Sequence, residues 1–535
     1  MRIEAISAGG RSGRNRRTGD GIGYPRPHRS ITADGGLPAL VPDDRHRGSQ
    51  PRVTVIGAGI AGLVAAYELE RLGYRVEVLE GSRRIGGRIY THRFGPQPDA
   101  PYAELGAMRI PTKHRYTMGY LHRLGLDDDL VPFRSLGADQ NALLGTGNGY
   151  VRLRDAAGTL LDDLRSGLSH NGYHEETLLF GAWLSVVVNA IAPPAQREGL
   201  RRDLSARLLD LVQGLDVRPY VRDADQGLVD LHGAFAAYPV LRAACTGDLG
   251  SFLDDILTET SPELVRLRGG MSRMAHRLAR RIRGPILCGR EVTGIDVGAD
   301  GVLLQVREAG RHVTRCTDYV VCTIPLPLLR RINLAGVSDD KLDAIRSVQY
   351  VPATKVAFHC REPFWEDDGI TGGASCSGGR IRQTYYPSAD GDPAFGAVLL
   401  ASYTIGEDAD VLGRMPAPAR YTAVLTELGR MHPQLLQTGM LLNAVSVAWG
   451  QYRWSGGGCS VRWGLDAAAG EEMRRRVAEP EGHLFFAGEH CSSTPAWIDG
   501  AVESAREAVA GIVRHTRRRP AVGIVRYADA LEVRR

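Results

Sequence analysis

A single arginine in an apolar stretch is the first residue of this chain that could do chemistry. Arg109 lies in the stretch GAMRIP, where its neighbours are small or apolar. A guanidinium is costly to bury unless it meets an anion, and its planar fork matches a carboxylate through two parallel hydrogen bonds. Arg109 is therefore predicted to bind a carboxylate, which belongs either to a bound molecule or to an internal salt-bridge partner.

A lysine inside an apolar strand is the second candidate. Lysine and arginine together number 66, yet Lys113, Lys341 and Lys355 are the only lysines. Lys355 lies within TKVAFHC, and its compact ammonium can anchor a water in a way that a planar guanidinium cannot. We predict that Lys355 faces a functional site; the alternative is a surface lysine at the end of a strand.

The glycines near the N-terminus indicate the scaffold that must position these side chains. Residues 53–56 are typical of a buried parallel strand, and Gly57, Gly59 and Gly62 follow it with the spacing G-x-G-x-x-G. These glycines permit a tight turn, a close approach of the backbone to a pyrophosphate, and close packing of the next helix. A second strand, RVEVLE, ends at Glu80, where a carboxylate can accept hydrogen bonds from ribose hydroxyls.

A second glycine pair directly follows this acid. Gly86 and Gly87 precede Arg88 in EGSRRIGGRIYT, which suits a further phosphate contact; the alternative is a glycine turn with a solvated arginine. The whole arrangement resembles the flavoproteins of the amine oxidase group, in which the pyrophosphate of FAD is held from both sides. The resemblance implies FAD as the cofactor.

A distant segment, HLFFAGEHCSSTPAWIDGAVESAREAVAGI, resembles the part of the same group that passes beneath the flavin. By that resemblance Glu489 binds the ribityl and pyrophosphate region, and Trp497 and Ile498 lie against the isoalloxazine. The backbone of Val292 corresponds to a contact on the adenine side. The residues predicted to contact FAD are Gly57, Gly59, Gly62, Glu80, Gly87, Arg88, Met108, Arg109, Val292, Cys459, Glu489, Trp497 and Ile498.

The stretch ELGAMRIP is similar to that of L-amino acid oxidases, whose arginine clamps the α-carboxylate of the substrate. The similarity extends over about residues 50–515 and is thin in 150–260. It implies that Arg109 holds the substrate carboxylate, with an internal salt bridge or a flavin contact as the alternative. It also implies that the Tyr403 hydroxyl assists, unless this tyrosine is simply a core aromatic.

Other catalytic and substrate contacts follow from the same resemblance. Lys355 corresponds to the lysine that holds a water near flavin N5. Ala496 replaces a glycine whose carbonyl accepts the substrate ammonium, and Trp497 lies beside the substrate. The predicted catalytic residues are thus Lys355, Arg109 and Tyr403, and the predicted substrate-binding residues are Arg109, Tyr403, Ala496 and Trp497.

One stretch departs from this pattern. SGGGC, which contains Cys459, is similar to the monoamine oxidases, whose cysteine is bonded to the flavin. Cys459 is therefore either a covalent attachment point or a small buried thiol beside the flavin. The next residue is Ser460, where monoamine oxidases have one tyrosine of an aromatic cage, and this favours an amino acid over an amine as substrate.

The predicted fold class is α/β, with a Rossmann-like FAD-binding domain assembled from separate chain segments and an α+β substrate-binding domain with a helical subdomain. Basic tails are predicted at both ends, the N-terminal one disordered. The predicted segments are the tails 1–50 and 516–535, the FAD-binding parts 51–115, 265–345 and 449–515, the helical part 116–264 and the substrate-binding sheet 346–448.

Composition limits the other possibilities. The 535 residues carry a net charge of +5, with much of the excess in the two tails and few aromatics among the basic residues at the N-terminus, so no nucleic-acid partner is predicted. No apolar run reaches the ~18 residues of a membrane span, and no signal peptide is recognised. The eight cysteines are scattered without a C-x-x-C pair, which suits a reducing, cytoplasmic location, and no metal site is predicted.

The function predicted from these features is FAD-dependent oxidative deamination of an L-amino acid to the imino acid and then the 2-oxo acid, with ammonia and hydrogen peroxide as products. Alternatives are an amino acid 2-monooxygenase, an amine oxidase without carboxylate recognition, and a flavin-bearing protein without turnover. A homodimer is expected from the resemblance alone. The pocket for the substrate side chain is expected to involve the helical part and residues around 376–386.

Overall fold

The structure is a computed structural model, and it describes one isolated residue and six stretches of the chain. These are residue 40 and residues 50–167, 172–205, 207–222, 228–245, 247–388 and 390–518. The tail predicted for 1–50 lies outside the described residues except at 40 and 50, and 519–535 lie outside them as well. The last helix continues to Arg518 and buries Thr516, so the basic tail predicted for 516–535 begins within this helix, and its boundary stays a prediction.

Strands contribute to seven separate sheets and ribbons among these residues. In chain order they are β1 (Arg52–Ile56), β2 (Arg75–Glu80), β3 (Thr91–Arg93), β4 (Tyr102–Glu104), β5 (Ile110–Pro111), β6 (Leu130–Pro132), β7 (Leu143–Thr146), β8 (Gly149–Arg152), β9 (Val221–Arg222), β10 (Leu228–Val229), β11 (Leu264–Leu267), β12 (Ile286–Cys288), β13 (Arg290–Val297), β14 (Val302–Glu308), β15 (Arg311–Thr317), β16 (Tyr319–Cys322), β17 (Asn333–Ala335), β18 (Gln349–Val351), β19 (Ala353–Cys360), β20 (Ala374–Cys376), β21 (Gln383–Tyr385), β22 (Ala397–Ile405), β23 (Leu441–Ala448), β24 (Cys459–Val461) and β25 (Leu484–Phe486).

Helices lie between and around these strands. In chain order they are α1 (Ile60–Arg71), α2 (Arg115–Arg123), α3 (Ala157–Gly167), α4 (Glu175–Ile191), α5 (Pro194–Ser205), α6 (Arg207–Gln213), α7 (Leu231–Ala237), α8 (Pro239–Ala244), α9 (Gly247–Glu259), α10 (Ser272–Ala279), α11 (Leu326–Leu329), α12 (Asp339–Ser347), α13 (Glu407–Arg414), α14 (Ala417–Met431), α15 (Ala467–Ala478) and α16 (Ile498–Arg518). No helix within the described ranges combines the length and the apolar character needed to cross a bilayer.

A five-stranded parallel sheet forms the base of the cofactor region, in the order β12-β2-β1-β16-β25. Its central strands are buried on both faces, as the continuous run VTVI predicts, because helices α1 and α16 pack on one face and the antiparallel strands β13 and β14 pack on the other. The helix α1 connects β1 to the parallel β2, and α16 packs against α1. Three distant stretches of chain therefore meet in one sheet, since β25 lies beside β16 in parallel register.

An antiparallel sheet in the order β15-β14-β13-β17 lies beside this core, and β13 and β17 pair in parallel. A bulge between Val292 and Gly294 interrupts the pairing of β13 with β14. Apolar residues of these strands share one buried cluster with Leu79 and Phe486 of the parallel sheet. The bulge lies at the end of the strand that borders the cofactor region.

A seven-stranded mixed sheet, β23-β19-β22-β21-β20-β7-β8, forms the second large layer. The strand β19 lies between β22 and β23 with every residue but His359 buried, which explains its nearly continuous apolar sequence. Lys355 and Tyr403 are directly opposite each other in the β19–β22 register. This pairing places the predicted lysine and tyrosine side by side.

The segment with the weakest sequence resemblance is mostly helical. Helices α3 to α9 lie within residues 157–259, and α4 is almost wholly buried at their centre because its sequence is apolar on all sides. Phe180 and Trp183 on α4 pack in one cluster with residues of α9 and of the seven-stranded sheet. The prediction of a helical region here agrees with the structure, while the division of the chain into domains stays a prediction.

Candidate active site

One cavity of about 1110 Å³ runs from the glycine turn after β1 to the helical region. It lies between the parallel sheet, the seven-stranded sheet and α9. The predicted site residues that line it are Gly57, Gly59, Glu80, Gly87, Arg88, Met108, Arg109, Val292, Lys355, Tyr403, Cys459, Glu489, Ala496, Trp497 and Ile498. Gly62 is the predicted residue outside this lining, because its role is to pack α1 against the turn.

The glycine turn has the geometry that its spacing predicts. Gly57 has a φ of +103°, a conformation that side chains rarely adopt, and its N–H donates to the Leu79 carbonyl at 2.8 Å. A Cβ on Gly62 would lie 1.9 Å from the carbonyl oxygen of Gly57. Gly59 caps the N-terminus of α1 without a side chain, so the first N–H groups of this helix remain available to an anion.

The acid at the end of β2 organises the same turn. Glu80 accepts hydrogen bonds from the backbone N–H of Ala58 at 2.8 Å and from that of Ser82 at 2.7 Å. A carboxylate has about four acceptor positions, so these two bonds leave capacity for ribose hydroxyls. Glu80 thus lies where the predicted ribose contact requires it and also anchors the loop.

The second glycine pair completes a cradle with the first. Gly87 has a φ of +57°, and a Cβ there would lie 3.1 Å from the Cα of Gly59. The two glycine segments are joined by a parallel bridge between Gly59 and Gly86. Any side chain at Gly87 would press against the backbone of the opposing turn, so both walls of this cradle are bare backbone.

Arg88 joins the first and last parts of the chain. Its guanidinium donates to the Glu489 carboxylate at 2.7 Å and to the Gly458 carbonyl at 3.1 Å. Burial disfavours the charge of Glu489, but Arg88, His490 and hydrogen bonds from Ser460 lower the pKa of its carboxyl to about 2. Arg88 is therefore partnered by protein, and the solvated arginine considered from the sequence is not what the structure has.

Ser460 has a role that the sequence did not indicate. Its hydroxyl donates to Glu489 at 2.5 Å, and Glu489 also accepts from the Ala496 N–H at 2.9 Å. At the position where monoamine oxidases have a tyrosine of the aromatic cage, this chain thus has a serine whose hydroxyl holds the Glu489 carboxylate in place. Glu489 lines the cavity, so its contacts with protein are compatible with a position beside a cofactor.

Arg109 is buried at the cavity wall and is already paired. Its guanidinium donates to the Glu259 carboxylate and, at 3.1 Å, to the hydroxyl of Tyr385. The Tyr385 hydroxyl in turn donates to the other oxygen of Glu259. The internal salt bridge considered from the sequence is therefore present, and Tyr385, not Tyr403, is the tyrosine that bonds to Arg109 in this structure.

Tyr403 and Lys355 form the opposite part of the same chamber. The Lys355 ammonium lies 4.6 Å from the centre of the Tyr403 ring and donates to the Gly106 carbonyl at 2.7 Å. Burial, together with the nearby charge of Arg109, lowers the pKa of Lys355 to about 7, and burial raises that of Tyr403 to about 12. Lys355 is buried, so the interpretation as a surface lysine is wrong.

The start of α16 supplies the next wall. Ala496 has a φ of +67°, a left-handed conformation that favours glycine, which fits the glycine that the resemblance places here. The Arg109 guanidinium lies 5.9 Å from the centre of the Trp497 ring, which also meets the edge of His114. Ile498 begins α16 and is buried at the cavity.

Cys459 opens strand β24, which pairs with β18. Its thiol lines the cavity, and burial and Glu489 raise its pKa well above the ordinary value, so the reactive thiolate is disfavoured there. All eight cysteines are free thiols. Covalent attachment through Cys459 stays one of two alternatives, with a buried thiol beside the cofactor as the other.

The residues present fit FAD. The cavity exceeds the range of about 300–1,000 Å³ that is usual for drug-sized ligands, as an extended dinucleotide requires. A Cβ on Gly87 would press against the opposing turn of the cradle, and an uncapped helix N-terminus points to the same place. Gly57, Gly59, Glu80 and Arg88 would hold the nucleotide part, and Trp497 would lie at the flavin end.

Several residues of the chamber were not identified from the sequence. Glu259 and Asp255 of α9 line the cavity beside Arg109. Tyr385 makes hydrogen bonds with Arg109 and Glu259, and Trp463 lines the cavity. Burial raises the pKa of Asp255 to about 6, although a hydrogen bond from Trp463 acts to lower it. No local pattern distinguishes these acids from the other charged residues of an amphipathic helix, and only their packing against Arg109 marks them.

The family of this chain follows from its similarity to known proteins. The family model of flavin containing amine oxidoreductases matches residues 60–513, and the chain belongs to that family. It is 57% identical over 461 residues to the flavin-dependent L-tryptophan oxidase RebO of Lentzea aerocolonigenes, which covers 86% of this chain and 98% of that protein. It is 28% identical over 471 residues to an L-amino-acid oxidase of Echis ocellatus, covering 85% of this chain and 88% of that protein.

Solved structures support the same fold at lower sequence identity. A cyclohexylamine oxidase from Brevibacterium oxydans aligns with a TM-score of 0.59 at 19% identity, covering 88% of this chain and 100% of that one. A putrescine oxidase aligns with a TM-score of 0.57 at 19% identity, covering 87% of this chain and 99% of that one. The predicted α/β class is confirmed at the level of mixed α/β sheets, and the predictions of a flavoenzyme of the L-amino acid oxidase group and of FAD as its cofactor are confirmed.

Proposed function

We propose that this protein catalyses the FAD-dependent oxidative deamination of an L-amino acid with a large aromatic side chain, L-tryptophan in the first place. The observation that carries the proposal is one continuous cavity, which joins a cradle fitted to a dinucleotide with the buried Arg109, Tyr403 and Lys355. The choice of tryptophan rests on the similarity to a flavin-dependent L-tryptophan oxidase.

The walls of the chamber support an aromatic substrate. The Phe252 and Trp463 rings lie 4.9 Å apart and line the cavity together with Ile405. Gln383 and α9 border the same space, as expected for a pocket between residues 376–386 and the helical part. A planar ring that packs against this aromatic wall would bury apolar area there, which favours aromatic over small or charged side chains.

The chain contributes binding and orientation. Arg109 would hold the α-carboxylate, the Tyr403 hydroxyl would add a donor, and the Ala496 carbonyl would accept a hydrogen bond from the α-amine. These contacts would hold two substituents of Cα, the carboxylate and the amine, and would thereby orient its hydrogen, which is the main contribution that positioning makes to rate. Bound FAD would supply the hydride acceptor.

The overall reaction would take one amino acid, one oxygen and one water, and would yield one 2-oxo acid, one ammonia and one hydrogen peroxide. Water hydrolyses the imino acid at its C=N bond. Lys355 would hold a water close to the place where oxygen accepts its two electrons and two protons.

We further propose that the chain divides into an FAD-binding domain from 51–115, 265–345 and 449–515 and a substrate-binding domain from 116–264 and 346–448. The distribution of strands supports this, because the parallel sheet takes strands from each of the first three segments. We also propose a cytoplasmic homodimer, an expectation from the resemblance and the cysteine pattern. Light scattering of the purified protein tests the dimer, and fractionation of producing cells tests the location.

A substrate screen on the purified holoenzyme tests the function. We expect that L-tryptophan bleaches the visible flavin band without oxygen and yields equal amounts of 2-oxo acid, ammonia and peroxide in air. Tryptamine differs from it only by the missing carboxylate and should react poorly. An amide and carbon dioxide as products would indicate a monooxygenase, equal turnover of tryptamine an amine oxidase, and no bleaching by any amino acid would overturn the proposal.

The conservative variant Arg109→Lys examines the carboxylate contact. It keeps the positive charge opposite Glu259 but loses the planar fork, so kcat/KM for L-tryptophan should fall roughly 10- to 100-fold, the worth of a charge-assisted hydrogen bond. The poor rate with tryptamine should change little, because that molecule makes no such contact. An unchanged kcat/KM for L-tryptophan would contradict the assignment of Arg109.

A further inference from the structure

Glu259 occupies an unfavourable place on its own helix. It is the last residue of α9, where the helix macrodipole is negative and a carboxylate is disfavoured. It is also only 4% exposed. A residue that breaks a local rule in this way is expected at a functional site, where another interaction offsets the cost.

The offsetting interaction is with the proposed carboxylate clamp. Both oxygens of Glu259 are engaged, one by Arg109 and one by the Tyr385 hydroxyl, which itself accepts from Arg109. Arg109 and Glu259 line the main cavity, whereas Tyr385 lies behind them and borders a second cavity of about 360 Å³. The cavity wall therefore presents a positive and a negative group side by side.

The guanidinium keeps donors for a ligand in spite of this pairing. Arginine has five N–H donors, and its bonds to Glu259 and Tyr385 occupy two. Its Nε is buried and has no hydrogen-bond partner among the described residues. A ligand carboxylate can thus be added to Arg109 without removal of Glu259.

The charge balance decides which ligands fit such a wall. A carboxylate without an amine would bring a second negative charge against one guanidinium and leave Glu259 without compensation. An amino acid brings its ammonium together with its carboxylate, so each end of the zwitterion meets an opposite charge. In a water-poor chamber these interactions are weakly screened, and like charges disfavour the wrong ligand strongly.

We propose, on the basis of the proposed function, that Glu259 is a specificity-determining residue, whose carboxylate receives the substrate ammonium while Arg109 holds the carboxylate. Glu259 thereby selects zwitterions against simple carboxylates, including the 2-oxo acid product, which lacks the ammonium. Asp255 adds negative charge to the same wall but, among the described contacts, makes no hydrogen bond or ion pair with Arg109, and it serves as the matched comparison.

Binding to the holoenzyme by calorimetry tests the selection. The two ligands are α-methyl-L-tryptophan, which keeps both charges but has no Cα hydrogen to lose, and indole-3-propionate, which lacks the amine. The wild type should bind the first at least about 10-fold more tightly, as a charge-assisted hydrogen bond predicts. Equal affinities for the wild type would overturn the proposal without any variant.

Glu259→Gln should weaken binding of α-methyl-L-tryptophan and strengthen binding of indole-3-propionate, so that the affinity ratio falls roughly 10-fold or more. Glu263→Gln, an exposed acid four residues later, should leave both affinities unchanged, and Asp255→Asn should change the ratio much less. An unchanged ratio in Glu259→Gln, or the same change in Asp255→Asn, would overturn the assignment.

The failure of this inference and that of the proposed function give different results. If L-tryptophan bleaches the flavin of the wild type but Glu259→Gln leaves the ratio unchanged, only the role of Glu259 is wrong. If no amino acid bleaches the flavin, the function itself is wrong. If another amino acid bleaches it fastest, its own α-methyl and des-amino analogues are the ligands to compare.

Discussion

At the scale of single residues, the chamber buries two basic side chains whose charges respond differently to burial. Arg109 keeps its charge because Glu259 compensates it, whereas Lys355 has carbonyl partners, and burial lowers its pKa to about 7. Burial also raises the pKa of Glu104, whose carbonyl is next to the ammonium, to about 7. Lys355 can therefore change its charge near neutral pH, which a solvent-exposed lysine with an ordinary pKa cannot do.

Lys355→Met should slow the reaction of the reduced enzyme with oxygen by roughly 100-fold, because negative charge develops on oxygen beside a positioned ammonium. In the wild type this rate should fall as pH rises through about 7, where Lys355 loses its proton, and in the variant it should be flat. Stopped-flow mixing of the reduced enzyme with oxygen measures both. A pH-dependent rate that persists in the variant would assign the ionisation to another group.

The same ionisation affects stability with a definite sign. The folded protein releases the Lys355 proton at about 7 and the unfolded chain near 10.5, so the unfolded chain binds more protons between these values. The contribution of Lys355 to the free energy of unfolding therefore rises with pH in this window. Glu104 changes its own contribution between 4.5 and about 7, below that window. Lys341, whose pKa burial lowers to about 8, adds a rise of the same sign above 8. Lys355→Met should therefore remove the rise between about 7 and 8 and reduce it above 8, which denaturant titrations at several pH values measure.

At the scale of elements, the turn between β1 and α1 is determined by sterics. A methyl group on Gly62 would lie 1.9 Å from the carbonyl oxygen of Gly57, so the backbone of the turn or of the helix would have to shift. By contrast, a methyl group on Gly158, near the start of α3, would meet nothing within 4 Å. The same substitution thus has opposite consequences in two helices.

Gly62→Ala should destabilise the protein by at least about 3 kcal/mol, at the upper end of overpacking, and should reduce the FAD-to-protein ratio after purification. Gly158→Ala should be neutral or stabilise by up to about 1 kcal/mol, because alanine favours the helix. Thermal unfolding and the absorbance ratio of flavin to protein measure the two effects. A Gly62→Ala protein with full FAD content and an unchanged midpoint would show that the turn does not need this glycine.

At the scale of the whole molecule, a few buried contacts hold distant parts of the chain around the cavity. Arg88 and Glu489 are 401 residues apart in sequence and form an ion pair at 2.7 Å. Asp499, at the start of α16, accepts from the backbone and the hydroxyl of Thr117 on α2. The cavity exists only when these segments are assembled, so cofactor binding and folding are expected to depend on each other.

Glu489→Gln should cost about 2 kcal/mol of unfolding free energy, because it leaves the partly buried Arg88 guanidinium without a carboxylate. The loss should be smaller when FAD is present in excess, since the pyrophosphate lies within reach of the same arginine by the proposed arrangement. Glu471→Gln, which breaks an exposed pair with Arg474, should leave the midpoint unchanged. Equal midpoints for wild type and Glu489→Gln would contradict the role of this pair.

The parts of the fold that could be predicted are those set by neighbours in sequence. The β1–α1–β2 unit and the strand Leu484–Phe486 follow from the spacing of apolar residues and glycines, and the structure has them. The helical part could be predicted only as a class, because its helices are held by contacts between one another. Glu259 could not be found, since nothing in LTET distinguishes it from a solvated acid.

The choice between Tyr403 and Tyr385 illustrates the limit. Both lie on neighbouring strands, and the pairing of β21 with β22 shifts register between Gln383 and Tyr385. The Tyr385 hydroxyl bonds to Arg109 and to Glu259, which lie 276 and 126 residues away in sequence, and no local pattern encodes these contacts.

The sequence by itself determined the first nucleotide-binding turn, and with it a dinucleotide as the class of cofactor, because the turn depends on steric needs within a short stretch. It also determined which types of residue are available for chemistry. The tertiary structure alone decided that Arg109 is paired with Glu259, that Lys355 is buried beside Tyr403, and that Arg88 meets Glu489. The physical reason is that charge pairing and desolvation are set by groups far apart in the chain, and only packing brings those groups together.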